Sequence, residues 1–357
     1  MSSDLPVFIS RKEAKSPFFV GVDLGGTNAK IGIVDDNGHT LSYVSMPTEV
    51  EKGPVDATRR MSDAILSAIR QAGLTHEEVV RVGLGSPGTM DIPAGKLVKP
   101  GNFPGWENFG IRDTLSEFCA IPVSFENDAN AAAFGEYWTG SAKEFNSILL
   151  FTLGTGVGCG LVIAGRTLVG ENSHGGECGH NIVDPSPHAR MCNCGLRGHL
   201  EAYASATGVA RRTFDLLEAH IPTSLLDRVN VETMTTLDKR KLPKMVYEEA
   251  KAGDQLSLEI IRETAWWLAI GTVTLLHTVD PQCVLLGGAM TFGGKGDPIG
   301  EMFLETFTDE IKKRTFPVLA ERIVIKFAEL GGHAGYLGAA GVARADYRIK
   351  GFANPLT

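Results

Sequence analysis

Two glycine turns in this chain each carry a threonine hydroxyl and suit an anion. The first reads Asp23-Leu24-Gly25-Gly26-Thr27, and the second, about halfway along, reads Gly154-Thr155-Gly156-Val157-Gly158. Glycine lets backbone amides approach a bound group, and Thr27 and Thr155 add hydroxyls, so both turns fit phosphate. Asp23 supplies a carboxylate able to hold Mg²⁺ through water. Taken singly, each turn also suits an ordinary hairpin. Taken together, facing one another across a cleft, they would grip the β- and γ-phosphates of a nucleotide. Neither is followed by Gly-Lys-Ser/Thr, so neither is a Walker A loop.

Phosphoryl transfer asks a protein for positioning, charge neutralisation and a base for the attacking hydroxyl. The segment Glu126-Asn127-Asp128-Ala129-Asn130 offers such a base in Asp128, at the junction of a strand and a helix. Asn127 and Asn130 flank it and could orient a sugar. Aspartate is also a favoured N-cap, so a purely structural reading of Asp128 stands beside the catalytic one.

A third constellation is Glu177-Cys178-Gly179-His180, followed by Cys192-Asn193-Cys194 and then His199. Two thiolates from Cys192 and Cys194 and two imidazoles from His180 and His199 make a tetrahedral Zn²⁺ set, closed and therefore structural. Cys178, His174 and His188 are spare ligands, and the competing reading is a group of free surface thiols and histidines. Cys119, Cys159 and Cys283 stand alone in apolar surroundings and read as small buried hydrophobes.

These residues need elements to hold them. Residues 18–23 and 29–35 read as strands around the first glycine turn, and Asp36-Asn37-Gly38 turns the chain into a third strand at 41–45. Lys30, in the second of them, could neutralise phosphate charge but reads rather as a solvated strand lysine. Residues 54–72 have helical spacing and lead to a buried strand at 79–84. Another strand at 122–125 runs into Asp128 and a helix at 131–138. Strands at 148–152 and 157–164 flank the second glycine turn and echo the start of the chain, which indicates a duplicated domain. Residues 171–199, rich in Gly, His, Cys and Pro, form a loop that needs something besides a core to order it. Beyond it the chain is largely helical, with helices at 246–252, 256–278, 299–314 and 334–347. Short strands fall at 283–286, ending in Gly287-Gly288, and at 323–327.

The bulk numbers bound the rest. A chain of 357 residues exceeds what one core usually serves, so two domains are expected. Hydrophobic residues make up 43% and charged residues 21%, ordinary globular usage. The net charge of −8 argues against a nucleic-acid or anionic-lipid partner and favours small substrates. The first residues lack an apolar leader core, and no apolar run approaches the roughly 20 residues of a membrane span, so a cytoplasmic protein is expected.

These motifs, in this order and spacing, closely resemble the ROK family of sugar kinases and related repressors. Asp23-x-Gly25-Gly26-Thr27, the Asp128 segment and Gly154 to Gly158 resemble its two phosphate loops and catalytic segment. The most specific match is Glu177-x-Gly179-His180 with Cys192-x-Cys194-Gly195-x-x-Gly198-x-x-Glu201. The resemblance implies an α/β fold of two ribonuclease-H-like (actin-like ATPase) domains flanking a cleft. The expected division is 1–126, with a C-terminal helix at about 336–357 packing back on it, and 127–335 carrying the zinc loop. It further implies a homodimer that phosphorylates a free hexose on its 6-hydroxyl with ATP and Mg²⁺. Asp128 would then be the base, and Asn102, Asn127, Glu177, His180 and Glu201 the sugar contacts, with His180 also on zinc through its second nitrogen. Gly287-Gly288 would be the adenosine-side turn, although a plain strand-to-helix turn explains it equally.

Two positions depart from the family pattern. His199 replaces the usual third cysteine, and His333 stands where relatives often carry an acid or amide; it is given no role. Only 22 residues precede Asp23, with no pair of periodic helices, which argues against the family's DNA-binding repressors. An inactive sugar-binding protein would lack a reason for keeping both phosphate turns. Glucose is the expected sugar, because the Asn127, Glu177, His180 and Glu201 set resembles that of the family's glucokinases. N-acetylmannosamine, N-acetylglucosamine and fructose are the alternatives.

Overall fold

The structure is a computed structural model describing residues 8–101 and 103–352, with the side chains of the last three left aside. Asn102 lies outside the described residues. The chain opens with β1 (Phe18–Leu24), β2 (Asn28–Val34) and β3 (Thr40–Pro47), then α1 (Pro54–Gln71) and β4 (Val79–Ser86). A small hairpin, β5 (Thr89–Asp91) and β6 (Lys96–Lys99), precedes α2 (Ile111–Cys119), β7 (Val123–Asn127) and α3 (Asp128–Trp138). Then come β8 (Ser147–Leu153), β9 (Val157–Ile163) and β10 (Arg166–Thr167), and, after a long irregular stretch, α4 (Glu201–Ala204) and α5 (Ala206–Glu218). The remainder is α6 (Thr236–Lys239), α7 (Leu242–Lys251), α8 (Gln255–Val279), β11 (Cys283–Gly287), α9 (Pro298–Arg314), α10 (Pro317–Arg322), β12 (Val324–Phe327) and α11 (Ala334–Phe352).

Two five-stranded sheets follow one plan. Their orders are β3-β2-β1-β4-β7 and β10-β9-β8-β11-β12. Leaving the small hairpin aside, each reads third, second, first, fourth, fifth in chain order, so the duplication seen in the two glycine turns extends to topology. In the first sheet β1, β2 and β3 pair antiparallel, while β4 and β7 are added parallel. This is the two-sheet α/β architecture expected from the sequence.

Close packing divides the chain into two units. One comprises the residues before 149, 160–176 and those after 327; the other comprises 149–159 and 177–327. The division expected after Glu126 differs from this, because α3 packs against α11 and against β7 within the first unit. In the first unit the two-residue period of β1 sorts its side chains between two cores. Phe18, Val20, Val22 and Leu24 join Met61, Ile65 and Ile69 of α1, whereas Phe19 faces Tyr336, Leu337 and Ala340 of α11. Tyr336, fully buried, closes that face with a 2.9 Å hydrogen bond between its hydroxyl and Thr40 Oγ1. Among the described residues no helix is long and apolar enough to cross a membrane.

Candidate active site and metal centre

Asp23 is the penultimate residue of β1, and the β1–β2 register sets it directly opposite Lys30. The Lys30 ammonium stands 3.5 Å from Asp23 Oδ2 and donates to Gly332 O at 2.9 Å. Lys30 is therefore paired beside the first glycine turn, although its side chain is still about one-third exposed; symmetry about the turn was the available signal. Burial pushes the Asp23 carboxyl above its ordinary range, with the Lys30 charge pulling the other way. Gly25 N donates to Asn28 O at 3.0 Å and Thr48 Oγ1 to Gly25 O at 2.6 Å, which fixes the turn while Gly26 and Thr27 remain exposed.

The second turn lies in the other unit and is held from α5. Ala206 N donates to Gly154 O at 2.9 Å, Thr207 Oγ1 to Thr155 O at 2.8 Å, and Gly154 N to Gly156 O at 3.0 Å. Gly288, with φ of 91°, is pressed against Leu153, and Met290 N donates to Leu153 O at 3.0 Å. Within this unit the Gly287-Gly288 turn and the second glycine turn are thus neighbours.

Asp128 opens α3 and is half-buried, with Oδ1 accepting its neighbour's Ala129 N at 2.8 Å. The N-cap is Asn127, not Asp128: Asn127 Oδ1 accepts Ala129 N at 2.9 Å and Asn130 N at 3.2 Å. Those two donors settle which end of the Asn127 amide is oxygen, and leave its NH₂ as the group it can offer a ligand. Asn130 does not share that freedom. It is buried, its oxygen accepts Leu161 N at 3.2 Å, and its NH₂ donates to Glu126 Oε1 at 3.2 Å. Asn130 is structural, which corrects the expectation that it orients a sugar.

His180, Cys192, Cys194 and His199 come together with all four ligand atoms within 4.8 Å of one another, and among the described residues they form the only such cluster. Three of their separations approach the edges of a tetrahedron, one within the zinc range and two slightly short of it. His180 Nδ1 lies 3.2 Å from His199 Nδ1, Cys194 Sγ 3.2 Å from His199 Nδ1, and Cys192 Sγ 3.8 Å from His180 Nδ1. Zn–N and Zn–S bonds of ordinary length give edges of about 3.4 to 3.8 Å. The donors suit zinc chemically too. Burial keeps His199 neutral to a lower pH than usual, aided by His180, as a metal-ligating imidazole must be. Burial also pushes the metal-free Cys192 thiol up to about 12, so a cation is needed to hold it as thiolate. His199 thus takes the place of the usual third cysteine in the cluster, while Cys178, His174 and His188 stay out of it.

The loop around this cluster is also tied by backbone and side-chain hydrogen bonds, among them Arg211 to Met191 O at 2.8 Å and Arg197 to Ala189 O at 2.8 Å. Val183 N donates to Gly198 O at 2.8 Å and Leu200 N to Asn181 O at 2.9 Å, and Tyr203 OH bonds Asp184 Oδ2 at 2.6 Å and stacks on Trp267. His180 turns its other nitrogen, Nε2, toward Glu177 Oε2, 3.9 Å away. Glu201 joins this loop to the second glycine turn. Its Oε2 accepts Val157 N at 3.1 Å and its Oε1 accepts the Cys192 thiol at 3.5 Å.

Known proteins resemble this chain along nearly all of it. The glucokinase of Thermotoga maritima is 33% identical over 325 residues, covering 91% of this chain and 96% of that protein. Among solved structures, the ROK hexokinase from Thermus thermophilus superposes with a TM-score of 0.77 at 33% identity, over 93% of this chain and 99% of that one. A ROK family glucokinase from Streptomyces griseus, in complex with glucose and AMPPNP, gives a TM-score of 0.68 at 28% identity, over 92% and 99% of the two chains. The ROK family model matches residues 19–346, and with a match of that extent the protein belongs to the ROK family.

Proposed function

We propose that this chain is a glucokinase, which transfers the γ-phosphoryl group of MgATP to the 6-hydroxyl of glucose. The observation that carries this is the match to the Thermotoga maritima glucokinase, at 33% identity over 91% of the chain. The Streptomyces griseus neighbour, which holds glucose and AMPPNP, supports the same pairing of sugar and nucleotide.

In this reading Asp128 accepts the proton of the 6-hydroxyl as its oxygen bonds to phosphorus and the bond to the β–γ bridging oxygen breaks, releasing ADP. Its place at the first turn of α3 suits this task, because the helix N-terminus favours a carboxylate there. Asn127 donates its NH₂ to a sugar hydroxyl, and Asn102, Glu177, His180 and Glu201 hold the others. Gly25, Gly26 and Thr27 bind phosphate oxygens, as do Gly154, Thr155 and Gly156, and Gly287-Gly288 lies on the adenosine side. Bound Mg²⁺ neutralises phosphate charge, and Asp23 is the carboxylate that would hold it through water. His180, Cys192, Cys194 and His199 would hold a structural zinc, and His180, bound through Nδ1, would keep Nε2 for the sugar. The same reading makes the working enzyme a cytoplasmic homodimer acting on a small sugar and a nucleotide.

The test is ADP release from MgATP with glucose, mannose, fructose, N-acetylglucosamine and N-acetylmannosamine at matched concentrations. A dominant glucose rate is expected. A dominant acetamido sugar or fructose would reassign the substrate within one mechanism, and no turnover with any sugar would overturn the kinase reading.

A further inference from the structure

Glu126, the residue before the Asn127-Asp128 pair, is a buried carboxylate with no cation partner among the described residues. Burying a carboxylate is costly unless its lone pairs are used. Here they are used on three elements. Oε1 accepts Asn127 N at 2.9 Å, on its own strand end, and Asn130 Nδ2 at 3.2 Å, from α3. Oε2 accepts Thr167 Oγ1 at 2.6 Å, from β10. Asn130 passes the link on to β9, accepting Leu161 N at 3.2 Å. All these residues belong to one unit.

An apolar residue would fill the same place in β7 at less cost, as its neighbours Val123 and Phe125 do. What it would not do is fix the turn between strand and helix. The Asn127 amide that Glu126 accepts belongs to the residue that caps α3, and Asn130 stands one helical turn's reach further on. One carboxylate therefore sets the angle at which α3 leaves β7, and with it the aim of the first helical side chain.

We infer that Glu126 is a positioning residue for phosphoryl transfer, which through Asn127 N, Asn130 and Thr167 fixes the direction of the Asp128 carboxylate and the Asn127 amide. The inference rests on the reading of Asp128 as general base. Misplacing a reacting group by about 1 Å can cost on the order of a hundredfold in rate, so the effect belongs in kcat. Glutamine at this position can repeat the pattern. Its oxygen can accept Asn127 N and Asn130 Nδ2, and its NH₂ can donate to Thr167 Oγ1, whose hydroxyl then donates elsewhere.

The experiment compares wild type, Glu126→Ala, Glu126→Gln, Thr167→Val and Asp128→Asn by steady-state kinetics with glucose and MgATP. Glu126→Ala is expected to lose about tenfold or more in kcat with the KM for MgATP within about threefold, and Glu126→Gln to regain kcat to within about threefold of wild type. Wild-type kcat in a folded Glu126→Ala variant overturns the inference, as does a Glu126→Gln variant no better than alanine. Should the alanine variant fail to fold, Thr167→Val decides: a fall in kcat at unchanged melting temperature supports the inference, and unchanged kcat rejects it. If wild type is active and Asp128→Asn matches it, the general-base reading has failed and this inference with it. If Asp128→Asn is inactive while Glu126→Ala matches wild type, only the role of Glu126 has failed.

Discussion

The carboxylate of Glu201 occupies the space a side chain on Gly156 would need: a Cβ built on Gly156 would lie 2.3 Å from Glu201 Oε2. That same oxygen accepts Val157 N, and the other accepts the Cys192 thiol. In the metal-free protein one side chain thus ties the second glycine turn to the loop carrying the candidate metal cluster, and the missing Cβ is what lets it do so. Forcing an extra carbon into such a contact costs about 1–3 kcal/mol, relieved most cheaply by moving the carboxylate. Gly156→Ala is therefore expected to leave the protein folded while displacing Glu201. The KM for glucose should rise by about tenfold, the equivalent of about 1.4 kcal/mol. Initial rates against glucose concentration check this; an unchanged glucose KM would show that Glu201 does not hold the sugar.

The candidate metal cluster carries a second prediction. The irregular stretch from Gly170 to Leu200 has no regular element beyond a short 3₁₀ turn at Cys178–His180 and two isolated bridges, and its local cluster is small: Cys192, Ala202 and Tyr203, with Val183 and Trp267 against them. Structural zinc contributes on the order of 10 kcal/mol to segments of this kind. Wild-type protein is expected to hold about one zinc per chain. Cys192→Ser should lose it, become sensitive to limited proteolysis within 171–200, and show a raised KM for sugar. Metal content by atomic absorption is the deciding measurement, and an undiminished content in the variant rejects the site.

Replacing Asp128 by Asn keeps the volume and the bond to Ala129 N but removes the proton acceptor. General bases contribute typically 10² to 10⁴ in rate, so kcat should fall by at least about a hundredfold. Glucose affinity, measured by calorimetry without nucleotide, should stay within about threefold of wild type. Turnover near the wild-type rate would remove Asp128 from the mechanism.

Much of this arrangement was legible in the sequence because it is local. The alternation of Phe18, Val20 and Val22 marks β1, the glycines mark the turn after Asp23 and the turn around Thr155, and the spacing of Cys192, Cys194 and His199 marks the candidate metal set. What could not be read depends on distant pairings. That Tyr336 reaches Thr40, and that Leu161 on β9 bonds Asn130 on α3, follow from how the chain returns to its first unit, which periodicity does not encode. The β5–β6 hairpin and α2 were missed because both are short, and α2 starts from Gly110 with no side-chain cap. Lys30 was misread for lack of a register; once β1 and β2 are paired about their turn, it can only face Asp23.

Burial pushes Glu126 above the ordinary carboxylate range, countered by its bonds from Thr167, Asn127 and Asn130 and reinforced by Asp346 of α11. No cation is paired with it among the described residues. A carboxyl with a raised value in the folded state binds its proton more tightly there than in the unfolded chain. Between the two values the folded protein holds more protons, so stability falls as pH rises through that window and stays lower above it. Glu126→Gln removes this proton altogether. Its melting temperature at neutral pH should therefore equal or exceed that of wild type, and the advantage should shrink as pH falls through the window above the ordinary glutamate value. Thermal scans of both proteins from about pH 4.5 to 8 measure the difference. Parallel curves would mean that Glu126 binds its proton equally well folded and unfolded, and that its hydrogen bonds fully offset its burial.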